Sequence, residues 1–247
     1  MIIKDRRIAD KDLHNAYQLA YYENQYKPNM QPTETPYILR HIDKMIRYAN
    51  LEKTHAILEV GAGLGRCSLP LLARGYKLTC IDISHKMLEA LKMKTDGYDV
   101  RVRTMDIAAA DMQLADKFDR IIGFFTLHHV HDIAACFRNL AQIAKPGAVI
   151  AFCEPRAYNP LFYVQIAVTK NMTWKGDKGI VNMRPSYVLS AMEKAGFCDL
   201  RSISYGFFPS FLTNTTPGEK IEDALEKIPA LRWAHAFQIF LCRMPVP

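Results

Sequence analysis

Three histidines crowd into the stretch FFTLHHVHD, residues 124–132: His128, His129 and His131. Imidazole is the side chain whose ordinary titration falls near neutral pH, so such a cluster could take a proton from a substrate hydroxyl. Glu154 ends a later apolar run, AVIAFCE (148–154). It could orient one of the rings, as a carboxylate orients histidine in other base-assisted sites. Three further duties are open to the same histidines. One or more could be structural, capping a helix over 132–144. They could act as a pH-sensitive clamp. They could also bind a metal, but no matching carboxylate set stands around them in the sequence, so none is expected.

A second chemical signal is ILEVGAGLGRCSLPL, residues 57–71, in which Gly61, Gly63 and Gly65 alternate between apolar runs. Glycines at that spacing suggest a ligand close to the main chain, held against the N-terminus of the next helix. The dinucleotide fingerprint requires a small residue where Arg66 stands, and there is no lysine-plus-hydroxyl ending of the phosphate-loop type. A tight strand–helix turn with no ligand is the plain alternative. Three carboxylates belong to the same pattern. Glu59 precedes the loop, Asp82 ends LTCID, and Asp106 ends VRVRTMD. An acidic residue about 20 positions past the first glycine, at a strand tip, suits the hydroxyls of a ribose; the alternative for Asp82 is a role at the start of the next helix.

These residues need a scaffold that collects strand ends. Apolar runs at 56–60, 77–83, 99–106, 118–126 and 148–154 alternate with helical patterns near 65–74, 84–94 and 132–144, and KPGA (145–148) turns into the fifth strand. Such alternation predicts βαβ units around a mostly parallel sheet. Amphipathic spacing predicts helices over 10–26 and 36–50 before the first strand. Residues 155–184 read as irregular and rich in aromatics, and a helix resumes over 184–197. Runs at 199–208 and 234–243, joined through a short helix near 218–228, predict an antiparallel hairpin at the sheet edge. The expected fold is therefore α/β: a Rossmann-like, seven-stranded, mostly parallel sheet with an antiparallel C-terminal hairpin. Residues 1–50 are expected to form a helical N-terminal cap, 51–247 the main domain, and 155–184 a lid inserted in it.

In this context the chain resembles the class I S-adenosylmethionine-dependent methyltransferases. The acidic residue followed by G-x-G-x-G after strand one carries the likeness, together with the acidic strand ends and LHHV.D followed by KPG. The wording of the last two is similar to the small-molecule members, including those acting on quinone precursors. The resemblance implies S-adenosylmethionine as cofactor and its homocysteine counterpart as product. It implies a cofactor site made by Glu59, Gly61, Ala62, Gly63 and Gly65, with Asp82 on the ribose and Ile83 against the adenine. Asp106 would meet the adenine amino group and the Ile107 N–H a ring nitrogen. Phe125, after strand four, and a tyrosine of the N-terminal helices, Tyr21 or Tyr26, would complete it. The transferred methyl would lie near His128 and His129, the candidate bases, with His131 third and Glu154 behind them. An acceptor that is a carbon nucleophile or a free amine would need no strong base.

Composition narrows the partners. The 247 residues are 49% hydrophobic and 23% charged, with net charge +7. The basic residues are scattered and carry no RNA-binding signature, so a small-molecule acceptor is expected rather than nucleic acid. Aromatics of the cap and lid, such as Tyr17, Tyr158, Phe162, Tyr163, Met172 and Trp174, suit an apolar or aromatic acceptor, and the loop 205–217 would border it. Apolar cap surface could also touch a membrane if the acceptor is lipid-like. The six cysteines lack paired spacing, and no early segment reads as a signal peptide, so a reduced, cytoplasmic monomer or homodimer is the expectation. Two other readings stay open: an RNA methyltransferase, and a protein that binds the cofactor without methylating.

Overall fold

The computed structural model describes residues 13–20, 31–110, 112–168 and 172–247. The elements in chain order are α1 (13–20), α2 (Pro36–Ala49), β1 (Ile57–Val60), α3 (Ser68–Ala73), β2 (Leu78–Asp82), α4 (His85–Lys92) and β3 (Val100–Thr104). They continue with β4 (Phe118–Phe124), α5 (Ile133–Ile143), β5 (Ala144–Pro155), α6 (Pro160–Val168), α7 (Trp174–Asp177) and α8 (Pro185–Lys194). The chain closes with β6 (Cys198–Tyr205), α9 (Ser210–Thr213), α10 (Thr216–Glu226) and β7 (Phe237–Arg243).

The seven strands form one sheet in the order β3-β2-β1-β4-β5-β7-β6. The first five are parallel; β7 runs antiparallel between β5 and β6. Strand order reverses between β1 and β4, and the crevice beyond their carboxyl ends is where an open α/β sheet binds ligands. KPGA does not stand before the fifth strand but inside β5, as a register shift opposite Phe118 and Arg120.

Alternate side chains of the central strands feed two cores. Leu58, Val60, Ile121, Ile150, Phe152 and Phe240 meet Phe137 and Leu140 of α5 and Met192 of α8. Ile57, Ile122, Ala151, Cys153, Ile239 and Leu241 meet Leu71, Leu72, Leu88 and Ile38, Ile42 and Met45 of α2. Both faces being covered explains why β1, β4 and β5 read as continuous apolar runs. Each such Val, Leu, Ile, Phe or Met side chain, buried, contributes roughly 1.5–3 kcal/mol.

Helix starts follow the sequence closely. Thr35 caps α2 ahead of Pro36, Ser84 caps α4 through the Met87 N–H, and Asp132 caps α5 through the Ala135 N–H at 2.8 Å. The α5 cap is thus an aspartate, not a histidine of the cluster. Nor does Asp82 cap α4, since Ser84 does.

The described residues of 155–184 are not irregular. They fold into α6, α7 and a 3-10 segment over Lys178–Asn182. Their first helix, PLFYVQIAV, is apolar almost throughout, so it shows no one-sided periodicity for a sequence reading to find. α1 docks on this lid: the Tyr17 hydroxyl meets Thr173 Oγ1 at 3.2 Å, and Gln18 Nε2 donates to the Gly176 carbonyl at 3.1 Å. Among the described residues, no helix is long and apolar enough to cross a membrane.

Candidate active site

At the end of β1 the glycine loop turns toward α3. Gly61, Gly63 and Gly65 have φ of +72°, +53° and +86°, left-handed values that side chains disfavour. What presses on the loop is in part the protein itself. A Cβ at Gly61 would run into the Thr126 side chain, and one at Gly65 into Leu91. Gly63 is different: the nearest atom to a Cβ there is Met87 Sδ at 3.7 Å, and Gly63 faces the cavity described below. The sequence suggests a ligand behind all three glycines; Gly61 and Gly63 both line that cavity.

Most of the loop's N–H groups are already engaged. Gly61 and Ala62 donate to the Ile81 carbonyl at 2.8 and 3.1 Å, Gly65 to Ala62, and Gly63 to Asp82 Oδ2 at 2.9 Å. A phosphate cradle needs such groups aimed outward. This loop instead spends them on strand β2, which suits a ligand without a pyrophosphate.

Asp82 also accepts from Ser84 N at 2.9 Å. Desolvation raises its carboxyl above the ordinary value, against the pull of these backbone donors. Glu59 is buried under the loop, where Cys80 Sγ lies 3.8 Å from Oε2. Burial pushes its pKa up to about 7. Asp106, after β3, accepts from Ala108 N and from Asn15 Nδ2 of α1, both at 2.9 Å. Ile107 beside it is buried, its carbonyl held by Asn139. Phe125 follows β4 with φ of +54°, a costly conformation for a bulky residue, and its N–H donates to the Cys153 carbonyl at 2.8 Å.

The 3-10 turn Leu127–His129 follows directly. Glu154, fully buried at the end of β5, organises it. Its Oε1 accepts from Thr126 N at 2.9 Å and Leu127 N at 2.6 Å, and its Oε2 lies 2.5 Å from His128 Nδ1. His128 is buried and its ring centroid is 3.9 Å from that of His129. His129 Nδ1 lies 3.1 Å from the Gly176 carbonyl of the lid, and His131 is exposed, its ring 5.1 Å from that of His14. The structure thus brings Glu154 to His128 and sets His129 against the lid.

One cavity of about 650 Å³ collects these groups. Glu59, Gly61, Ala62, Gly63, Asp82, Ile83, Asp106, Ile107 and Phe125 line one end, and His128, His129 and His131 the other, with Phe162 and Met172 of the lid and Phe207, Phe208 and Phe211 of the loop and short helix α9 before α10. Glu222 of α10 shapes that loop, accepting from Phe207 N at 2.7 Å and Thr213 Oγ1 at 2.8 Å. Gly65 is absent from the lining. Tyr158 and Trp174 of the lid are largely exposed. Tyr21 and Tyr26 lie outside the described residues.

Two wall residues escaped the sequence reading. Arg66 lies over Phe125 and Tyr37 of α2, with its guanidinium 5.9 and 5.8 Å from their ring centroids. Its Nε is buried without a hydrogen-bond partner among the described residues. Tyr37 stands edge-on to His41 and Phe237, and burial raises its hydroxyl pKa far above normal. The signal for Arg66 was present in its misfit to the dinucleotide fingerprint. Tyr37 had none beyond its place in an amphipathic helix.

Residues 58–152 match the family model described as a methyltransferase domain. Over 111 residues the chain is 32% identical to a demethylmenaquinone methyltransferase from Tropheryma whipplei strain Twist, covering 43% of this chain and 46% of that one. Over 157 residues it is 29% identical to a ubiquinone biosynthesis O-methyltransferase from Nitrosomonas europaea, covering 60% and 65%. The chain thus spans about half to two thirds of the length of these relatives. The N-methyltransferase NodS from Bradyrhizobium japonicum shares the fold, with a TM-score of 0.58 over 86% of this chain and 98% of that one, at 13% identity. The sheet order, the glycine loop with its carboxylates and the matched segment agree: residues 58–152 are similar to the methyltransferase-domain family and sit on a fold shared with solved methyltransferases.

Proposed function

We propose that this chain methylates an oxygen, nitrogen or carbon atom of a small apolar or aromatic molecule, with S-adenosylmethionine as donor. The observation that carries the reading is the continuity of the cavity. It runs from Gly63, Asp82 and Asp106 to the His128–Glu154 pair and on to an aromatic rim. The relatives named for quinone-related methylation favour a quinol-like acceptor.

The wall residues fit the cofactor. The unpartnered Arg66 Nε offers a buried donor for a carboxylate, and Glu59 offers an anion for an ammonium. Asp82 would hold the ribose hydroxyls, Asp106 and the Ile107 N–H the adenine edge, and Ile83 and Met87 its faces. Bound there, the cofactor supplies a methyl group on a positively charged sulfur, already an excellent leaving group.

The chain's own work is then positioning, exclusion of water and proton removal. Glu154 holds the His128 ring through Nδ1, so Nε2 is the nitrogen turned to accept a proton. The buried carboxylate would stabilise the resulting imidazolium. Phe162, Met172 and the Phe207–Phe211 loop give the acceptor an apolar, water-poor seat. Calorimetry with S-adenosylmethionine, S-adenosylhomocysteine and NAD, followed by mass spectrometry of demethylated quinols incubated with the labelled donor, tests the reading. Binding of both sulfur nucleosides and a labelled product are expected. A protein that ignores both and binds NAD would sink it.

A further inference from the structure

We infer that the acceptor end of the cavity holds a divalent transition-metal ion of the zinc class, ligated by His128, His129 and Asp177. The side chains of these residues bring one ligand atom each to within 4.8 Å of one another, and all three line the cavity. Asp177 comes from the lid, far from the histidines in sequence, which is why no carboxylate partner was visible beside LHHVHD.

The surroundings of the two rings are those of metal-bound imidazoles. A ligating histidine characteristically donates its second ring N–H to a carboxylate or a backbone carbonyl, which fixes the tautomer. Here His128 Nδ1 faces the Glu154 carboxylate at 2.5 Å, and His129 Nδ1 faces the Gly176 carbonyl at 3.1 Å. A carboxylate and a carbonyl accept, so in a neutral imidazole facing either of them Nδ1 carries the hydrogen and Nε2 the lone pair. The same Gly176 carbonyl takes Gln18 Nε2 at 3.1 Å. Gln18 is 3% exposed, lines this end of the cavity, and its Oε1 is buried without a partner among the described residues. That oxygen is a further acceptor available to the ion or to a water on it.

The lid is fitted closely to the turn that carries the rings. A Cβ on Gly179 would strike the His128 carbonyl, so glycine is needed there. Asp177, the residue that starts this lid segment, is 1% exposed, and its Oδ2 accepts from Thr173 N at 3.3 Å. Two imidazoles and one carboxylate form a donor set of borderline softness, which favours zinc, cobalt, iron or manganese over magnesium or calcium. Three protein ligands leave positions open toward the cavity, as catalytic rather than structural sites do.

The use of the site rests on the methyl-transfer reading, and it narrows the acceptor to a molecule with a hydroxyl beside its apolar body. With the ion present His128 becomes a ligand. An acceptor hydroxyl entering the open position forms the metal–oxygen bond as its O–H bond breaks, and the proton passes to solvent. In the metal-free protein His128 takes that proton.

The test uses the full chain without a histidine tag, stripped with chelator and titrated with cobalt(II), whose visible absorption reports coordination. Saturation at one equivalent, with displacement by zinc, is expected. D177N, which keeps an oxygen for the Thr173 N–H, and H129Q should each weaken cobalt binding at least tenfold. H85Q, at an exposed histidine of α4, should not change it. Absence of saturable binding by the unaltered chain, or D177N and H129Q binding as tightly as it does, overturns the proposal. S-adenosylmethionine calorimetry on the same samples separates the two ideas. Cobalt saturation without nucleoside binding leaves the metal site standing and removes the methyl-transfer reading. Nucleoside binding without cobalt does the reverse.

Discussion

The two ends of the cavity are built in different ways. The cofactor end is a run of strand tips, each carrying its group within a residue or two: Glu59 and the glycines after β1, Asp82 at β2, Asp106 after β3. Its loop N–H groups bond to oxygens of the neighbouring strand end, as in Gly63 N to the Asp82 carboxylate and Gly61 N to the Ile81 carbonyl. The acceptor end is assembled from segments far apart in the chain: α1, the turn after β4, the lid and the Phe207–Phe211 loop. The first end is preformed mainly by local geometry, with Asn15 of α1 added on Asp106, whereas the second exists only once distant pieces have docked. Damage to the first should therefore abolish ligand binding, while damage to the second should spare cofactor affinity and strike turnover.

The largest effect is expected at Gly61. G61A drives a methyl into the Thr126 side chain at a left-handed backbone position. It should lower stability by about 3 kcal/mol or more, measured by urea unfolding, and abolish cofactor binding in calorimetry. A variant that binds S-adenosylmethionine normally would show that the cofactor end is not preformed as described.

Next come His128 and Glu154. H128A and E154Q should each lower kcat by about 10²–10⁴-fold while leaving cofactor affinity within a few-fold. E154Q turns the geometry against itself, because an amide N–H facing the Nδ1–H of His128 forces the ring into the other tautomer. A loss of cofactor binding equal to the loss of turnover would erase the distinction between the two ends.

R66A should weaken S-adenosylmethionine binding by about 10–100-fold, with R66K recovering part of it, since a charge-assisted bond to a buried donor is lost. Equal binding by all three forms would remove Arg66 from the cofactor wall.

The smallest effect is a pH dependence at Glu59. Burial raises its carboxyl from 4.5 to about 7. The unfolded chain therefore sheds this proton first, and the free protein's stability from this group falls as pH rises from 4.5 toward 7, then levels off. A ligand bearing an ammonium group favours the ionised form. Cofactor affinity should rise by about tenfold between pH 6 and 8, with proton release, and E59Q should flatten that rise.

The contrast between the two ends also explains what could be read in advance. Strand, glycine loop and carboxylate lie within a few residues of one another, so periodicity and spacing expose them. Asp177 and Gln18 acquire meaning only beside His129, and no local pattern announces that meeting. Tyr37 is similar, an aromatic on an amphipathic helix that the packing of α2 turns toward Arg66. The lid helix α6 escaped for the opposite reason, because apolar side chains on nearly every face leave no one-sided stripe to detect.

Helix α1 holds both ends at once, with Asn15 on Asp106 at one side and Gln18 and Tyr17 on the lid at the other. A single turn of polypeptide thus works as a common latch. On the methyl-transfer reading, lifting α1 would loosen both ends together, so release at one end should be coupled to release at the other.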